Sequence, residues 1–413
     1  MQNNKKRTFT ILLFGALFCF AAIVSGCGEK GKKESAVTEK KEAKIEQFQV
    51  QKVYIVSDLF QGRKVFEDKK CSQCHSIFEN EEKIGPKLDT SQFYGSFLDI
   101  FSILWNHAPA MAVHMRREGL PNIQFSTPEL NQLVSFLYMM PYLGKPGDSS
   151  KGEILLNNIC FNCHSLGGRG KKGGIALDIM AAYQSQIVLI QRMWNHGPVM
   201  RSQMLTTGIQ MPLFSGNDMI DLIAALTKGQ KERKLTTITL GVGDVTNGQK
   251  LFEEKNCTKC HSIFGKGGKI GPDLGDAISQ SSVTELTALL WNHSPKMQER
   301  MAELKLPYPY FSETEMSDLI VFLYSLNYED KTGDPVKGEK VFDQNNCADC
   351  HFESEEDKQK YIAKIKMDNP NQFAAHLWNH LPTMEETMVS QAVPWPELSG
   401  QELRDILAFL RSQ

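Results

Sequence analysis

The sequence predicts an all-α protein made of four tandem helical domains. Three features each occur four times along its 413 residues: a Gly before an apolar pair, a Cys-x-x-Cys-His motif, and an amphipathic segment with apolar residues three and four apart. A chain of this length rarely folds around one core. We therefore expect four domains, called repeats one to four, at residues 58–146, 147–238, 239–332 and 333–413.

Each repeat opens on a predicted helix that contains a Gly and closes on a second, amphipathic helix. Because Gly has no Cβ, the closing helix can cross the first at a short distance. The glycines are Gly62, Gly152, Gly248 and Gly338. The closing helices contain Leu133–Leu137, Leu222–Leu226, Leu319–Leu323 and Ile406–Leu410.

The Cys-x-x-Cys-His motifs use eight of the ten cysteines. This motif attaches c-type haem: the two thiols form thioether bonds to the porphyrin, and the adjacent imidazole binds the iron. The sequence therefore predicts four covalently bound haems. The attaching cysteines are Cys71, Cys74, Cys160, Cys163, Cys257, Cys260, Cys347 and Cys350. The proximal iron ligands are His75, His164, His261 and His351.

Zinc binding and disulfide pairing are the main alternatives for these cysteines. A zinc ribbon places its Cys pairs about 15–20 residues apart, whereas successive pairs here are 89, 97 and 90 residues apart. Structural zinc would not require a His after every second Cys. Disulfide frameworks belong to small loop-rich domains, and no βαβ pattern supports a thioredoxin-like site. The haem interpretation outweighs these alternatives.

A third shared pattern, Trp-Asn-His-x-Pro-x-Met-x-x-x-Met, lies between the haem motif and the closing helix. It covers Trp105–Met115, Trp194–Met204, Trp291–Met301 and Trp378–Met388. The Pro is predicted to start a new helix, because the first helical turn needs no backbone N–H at that position. The Trp is expected to contact the haem edge or its propionates, although a plain core role would look identical in the sequence.

Each repeat resembles a class I cytochrome c domain, and the four together cover about residues 58–413. In that family a first helix leads into the haem motif, a Gly-Pro loop follows, and the last helix crosses the first. Gly85-Pro86 and Gly271-Pro272 match the loop, and the resemblance implies that the Pro carbonyl accepts the N–H of the proximal His. Repeat two keeps Gly174 without the Pro, and repeat four has no Gly-Pro.

The opposite face of each iron has three candidate ligands in the Trp-Asn-His pattern. The Met-Pro site of the family occurs only at Met211-Pro212, so we expect the ligand from the Met pair, which shares one helix face. We prefer the second Met, nearer the closing helix: Met115, Met204, Met301 and Met388. The runner-up is the first Met: Met111, Met200, Met297 and Met384. Bis-histidine haems of lower potential would use His107, His196, His293 and His380.

Repeats one and two read as a unit that is duplicated as repeats three and four. The passage from Phe136 to Glu153 is matched by the passage from Phe322 to Glu339. Repeats one and three also share the sequence Cys-His-Ser-Ile-Phe. The longest connector, about residues 228–245, lies between the two halves.

Residues 1–26 resemble a bacterial lipoprotein signal peptide. A short basic segment precedes an uncharged apolar run from Thr8 to Val24, and small residues lead to Cys27. The resemblance implies export and lipidation of Cys27, which anchors the protein to the extracytoplasmic face of a bacterial membrane, in the periplasm or at the cell surface. An uncleaved membrane anchor is the alternative. Residues 27–57, rich in Lys and Glu, are expected to be a flexible tether.

The predicted function is electron transfer rather than catalysis. Two strong ligands leave no open position on the iron, so we expect a membrane-tethered carrier with redox proteins as partners: a quinol-oxidising membrane complex, other cytochromes and a terminal acceptor. The net charge of −2 argues against nucleic acid. One alternative is a reductase or peroxidase with an open fourth haem. The other, a reaction-centre tetrahaem subunit, generally has a Met before each haem motif, and none lies between Val50 and Cys71.

Overall fold

The computed structural model describes most of the four repeats. The described residues all belong to one compact unit that spans residues 45–413. The predicted signal peptide, the predicted lipidation site Cys27 and the predicted tether lie outside them. None of the described helices is both long enough and apolar enough to cross a membrane. The structure describes residues 59–77, 83–89, 91, 93–143, 146–178, 186–228, 243–277, 281–351, 354, 356 and 367–412.

The predicted helical character is confirmed, and each repeat contains a first helix, a long middle helix and a closing helix. Repeat one contains α1 (Leu59–Asp68), α2 (Phe97–Arg117) and α3 (Thr127–Met139). Repeat two contains α4 (Ser149–Asn158), α5 (Gln186–Thr207) and α6 (Asp218–Leu226). Repeat three contains α7 (Val245–Glu254), the short α8 (Leu274–Ala277), α9 (Val283–Glu303) and α10 (Glu313–Ser325). Repeat four contains α11 (Pro335–Gln344), the short α12 (Ala348–His351), α13 (Pro370–Ser390) and α14 (Gly400–Arg411).

Two short antiparallel hairpins follow the haem motifs of repeats two and three. In the first, Ser165 is opposite Gly170, and in the second, Ser262 is opposite Gly267. Their strands are β1 (Ser165–Leu166), β2 (Arg169–Gly170), β3 (Ser262–Ile263) and β4 (Lys266–Gly267).

The prediction that the Pro of the Trp-Asn-His pattern starts a new helix is wrong. Pro109, Pro198, Pro295 and Pro382 each lie inside one continuous long helix. Each Pro leaves the Trp carbonyl four residues earlier without its helical donor. The Tyr308 hydroxyl donates to the freed carbonyl of Trp194 (3.2 Å), and the Ser294 hydroxyl donates to that of Trp291 (2.9 Å). In these two helices a hydroxyl group therefore replaces the missing N–H.

The close crossing predicted from the four glycines is present in every repeat. A Cβ at Gly62 would collide with the backbone carbonyl of Gln132 in α3. A Cβ at the other three glycines would collide with a backbone carbonyl of the closing helix in the same way. The pairs are Gly152 with Asp221, Gly248 with Asp318, and Gly338 with Asp405.

The apolar core continues from one repeat into the next. One cluster of buried side chains includes Leu98 of repeat one, Phe322 of repeat three and Leu403 of repeat four, each with no exposed surface. A second cluster joins Leu156 of repeat two to Trp291 of repeat three. The long helices therefore pack against other repeats as well as their own.

Candidate haem-binding sites

The haem motif forms the same backbone turn in all four repeats. The first three residues of the motif form a short 3-10 helix in repeats one to three, and the last four form the helix α12 in repeat four. In each motif the backbone N–H of the His donates to the backbone carbonyl of the first Cys. These distances are 2.9 Å for His75, 2.8 Å for His164, 2.9 Å for His261 and 3.1 Å for His351. The sequence repeat is thus also a structural repeat.

The first Cys of each motif is held in an apolar environment. Cys71, Cys257 and Cys347 pack against the larger core cluster, and Cys160 packs against the smaller one. Burial raises the pKa of Cys71, Cys160 and Cys347 to about 11 and that of Cys257 to about 12. All eight motif cysteines are free in the structure. Neutral, apolar surroundings suit attachment to a porphyrin edge.

A backbone carbonyl holds the proximal His ring in the first three repeats. The Nδ1–H of His75 donates to the Pro86 carbonyl at 3.0 Å, and His261 donates to Pro272 at 3.0 Å, as the resemblance implies. In repeat two the Ile175 carbonyl accepts from His164 at 2.8 Å although the Pro is absent. With Nδ1 occupied as a donor, Nε2 is the nitrogen left for iron.

The glycines of the same loop lie directly against these rings. A Cβ at Gly85 would stand 2.6 Å from the His75 ring, and a Cβ at Gly174 would stand 2.6 Å from the His164 ring. A Cβ at Gly271 would overlap the His261 ring in the same way. A side chain there would displace the imidazole, so the loop requires Gly whether or not Pro follows it.

The His of the Trp-Asn-His pattern faces the proximal His in every repeat. The ring centres of His75 and His107 are 6.3 Å apart, and the corresponding separations are 6.2, 6.4 and 5.8 Å in repeats two, three and four. A metal–imidazole bond of about 2 Å puts two rings on opposite sides of one ion roughly 6 Å apart. The observed separations match that arrangement. Burial, with the facing His as a second cause, lowers the pKa of His107, His196 and His293.

The two Met residues of the pattern follow on the same long helix. The first Met packs against an apolar core cluster in every repeat: Met111, Met200, Met297 and Met384. Of the second set, which the sequence favoured, Met301 is buried, whereas Met115, Met204 and Met388 are half-buried. The ring separations support the histidines more directly than either Met, and the preference for the second Met stays a prediction.

The fourth repeat contains an apolar pocket beside its haem motif. Cys347 and His351 line it together with aliphatic and aromatic side chains, including Leu403 and Ile406. Three potential second ligands also line this pocket: His376, His380 and Met384. Trp395, whose ring centre lies 4.4 Å from that of the lining residue Trp105, has a buried indole N–H without an acceptor among the described residues. An apolar ring with acidic propionates fits this pocket, because the propionates would offer such an acceptor.

Comparison with protein families agrees with this geometry. Residues 245–327 and 335–413 match the family model of Cytochrome c. These matches support cytochrome c domains in repeats three and four. Cytochrome c domains bind haem covalently and transfer electrons. Comparisons with curated proteins and with solved structures gave no match.

One lining residue of the fourth pocket comes from another repeat. Trp105, in α2 of repeat one, lines the pocket that also contains His351. The sequence predicts that each Trp contacts a haem edge or propionate and does not specify the repeat. No local pattern gives this information, because Trp105 and His351 are 246 positions apart in the chain.

Proposed function

We propose that this chain is a tetrahaem c-type cytochrome that carries electrons between a membrane donor and an acceptor outside the cytoplasmic membrane. The observation that carries the proposal is the repetition of one arrangement. All four repeats have the same backbone turn at the haem motif and a second His facing the proximal one. Haem supplies one-electron oxidation and reduction at these sites.

We further propose the histidines of the Trp-Asn-His pattern as the sixth ligands. His107, His196, His293 and His380 each face the proximal His at a separation that suits one ion between the rings. The first Met of each pattern would then pack in the apolar surroundings of the site, for which its flexible side chain is suited. Bis-histidine ligation implies lower potentials than His-Met ligation.

The fourth repeat supports a carrier rather than a catalyst. His376, His380 and Met384 all line its pocket, so three candidates for a second ligand are present. We therefore propose that the fourth iron also has two protein ligands. Carbon monoxide should then bind slowly or not at all to the reduced protein. Rapid stoichiometric binding at one haem would favour the reductase or peroxidase alternative.

We propose attachment to the membrane through a lipid on Cys27. A tether restricts diffusion and raises the effective concentration near membrane partners. The proposed donor is a quinol-oxidising membrane complex, and the acceptors are other cytochromes or a terminal acceptor.

The test combines intact mass with fractionation after expression alongside the haem-attachment machinery. The mass should show four added haems and a lipidated Cys27, and the protein should remain with membranes. Cys27→Ser should release a red protein that still carries four haems. A colourless protein without added haem mass would overturn the haem proposal. Membrane retention of Cys27→Ser would overturn only the lipid on Cys27 as the anchor.

A further inference from the structure

The Trp-Asn pair of repeat one bonds to repeat four. The Trp105 indole N–H donates to the Pro396 carbonyl at 2.9 Å. The Asn106 side chain donates to the Leu398 carbonyl at 3.0 Å and accepts from the Leu398 N–H at 2.9 Å. These bonds attach α2 to the segment before α14.

The Trp-Asn pair of repeat four forms equivalent hydrogen bonds with repeat one. The Trp378 indole N–H donates to the Ile123 carbonyl at 2.9 Å. The Asn379 amide donates to the Phe125 carbonyl at 2.7 Å and accepts from the Phe125 N–H at 2.9 Å. Repeats one and four are therefore a reciprocal pair, in which the Trp-Asn pair of each forms hydrogen bonds with the backbone just before the closing helix of the other.

Repeats two and three form a second pair of the same kind. The Trp194 indole donates to the Pro309 carbonyl at 2.7 Å, and the Trp291 indole donates to the Pro212 carbonyl at 2.8 Å. The side chain of each following Asn forms hydrogen bonds with both the backbone N–H and the backbone carbonyl of one Phe. These pairs are Asn195 with Phe311 and Asn292 with Phe214.

Buried tyrosines join the two pairs through repeats one and three. The Tyr138 hydroxyl donates to the Tyr324 carbonyl at 2.5 Å. The ring centres of Tyr142 and Tyr324 are 4.6 Å apart, and those of Tyr138 and Tyr328 are 4.8 Å apart. All four tyrosines are buried. Among the described elements, helices pack extensively between repeats one and four and between repeats two and three, whereas repeats one and three meet in a smaller contact between Pro141–Leu143 and Val283–Glu303.

We infer that the four haem sites follow one another in space in the order two, three, one, four, and that the Trp of a Trp-Asn-His motif serves the site of the paired repeat. The inference rests on the proposed function, since it takes each repeat to hold a haem. Trp105 and His107 lie on the same helix but belong to different sites. His107 faces His75 of its own repeat, whereas Trp105 lines the pocket of repeat four. Helix α2 is thus a wall shared by two haem sites.

This order makes haems one and three internal and haems two and four terminal. An internal haem has two haem neighbours, and a terminal haem has one. Electrons would enter or leave through repeats two and four and pass across the tyrosine contact between repeats three and one. Because charges on neighbouring haems interact by Coulomb's law, each reduction potential depends on the state of its neighbours.

Removal of single haems tests the order without assignment of individual potentials. Cys71→Ser with Cys74→Ser removes haem one, and Cys160→Ser with Cys163→Ser removes haem two. In a redox titration, loss of haem one should shift two of the three remaining potentials, and loss of haem two should shift only one. A linear arrangement in chain order predicts the reverse. That result, or no shift in either variant, would overturn the inference.

A cross-link tests the pairing without any use of the haems. Arg116 of repeat one forms an ion pair with Glu385 of repeat four at 2.9 Å. In the full-length protein with Arg116→Lys, a zero-length carbodiimide reagent should link Lys at position 116 to Glu385, as peptide mass spectrometry would show. Addition of Glu385→Gln should abolish that link. An Arg116→Lys protein with four haems and no link would overturn the pairing, whereas absence of haems would overturn the proposed function instead.

Discussion

Arg404 and Asp330 form a buried ion pair in which Nη1 lies 3.1 Å from Oδ1. Their side chains are only 11% and 5% exposed. Arg404 belongs to α14 of repeat four, and Asp330 lies between α10 and α11, near the end of repeat three. Arg404 also donates to the Ser96 hydroxyl at 2.6 Å and to Asp99 at 2.9 Å, at the start of α2 in repeat one. This junction therefore ties three parts of the chain together.

Asp330 should make stability depend on pH. Burial raises its pKa from 3.8 to about 6, although hydrogen bonds from Ser96 and Arg404 oppose the rise. Between pH 3.8 and about 6, Asp330 therefore holds a proton in the folded protein and loses it in the unfolded chain. The contribution of Asp330 to the free energy of unfolding should therefore fall by roughly 3 kcal/mol as the pH rises from 4 to 6. Above pH 6 it should stay low.

Asp330→Asn isolates this contribution. Denaturation of wild type and variant at pH 4 and pH 7 gives the stability difference at each pH. The difference should favour the wild type more at pH 4 than at pH 7, because only the wild type gains the proton. A difference that does not change between the two values would contradict the assignment.

Gly248→Ala should weaken the crossing of α7 and α10. The new methyl would collide with the backbone carbonyl of Asp318, and backbone cannot move aside as a flexible side chain can. We expect the free energy of unfolding to fall by about 3 kcal/mol in chemical denaturation.

Gly197→Ala is the matched control, because no described atom beyond the adjacent turns of its own helix lies within 4 Å of a Cβ at this position in α5. The equivalent position in repeat one already contains Ala108. Replacement of a helical Gly by Ala should stabilise the protein by up to about 1 kcal/mol. Equal losses from the two substitutions would show that close crossing is not the cause.

Ligand substitutions in repeat one should distinguish the three candidates for the sixth position. His107→Ala should convert one of the four haems to a five-coordinate, high-spin form that binds carbon monoxide when reduced. Met111→Leu and Met115→Leu should leave all four haems six-coordinate. The measurement is the absorption and electron paramagnetic resonance spectrum of the ferric protein. If Met115→Leu alone opens a haem, the original sequence preference is right and the histidine proposal fails.

Asn195→Leu should weaken the pairing of repeats two and three. Leu cannot bond to the backbone of Phe311, so the Phe311 N–H loses its acceptor at 3.1 Å. We expect a loss of about 2 kcal/mol in the free energy of unfolding. The control is Asn157→Leu on the exposed face of α4, where the change should be within about 0.5 kcal/mol. Indistinguishable losses would argue against a role for the inter-repeat bonds.

Several features of each site could be predicted from local sequence. The spacing of Cys71, Cys74 and His75 belongs to one backbone turn, and Gly85 marks the place where the chain passes against the imidazole. Pro86 supplies a carbonyl at a fixed distance along the chain from His75. The Pro of the Trp-Asn-His pattern does not predict a continuous long helix, because the donors that replace its N–H in two of the helices are side-chain hydroxyl groups of other residues. One of these, the hydroxyl of Tyr308, lies in another repeat.

Local sequence specifies the helical repeats, the haem motifs and the glycines at helix crossings, because each depends on residues within one short segment. Which repeats are neighbours, and which His faces the proximal His, become visible in the folded chain alone. Four copies of one motif carry nearly the same local information, so the motif cannot specify its partner. The partner depends on side chains that differ between repeats, such as Asp330 and Arg404, and on surfaces that meet only after the chain folds.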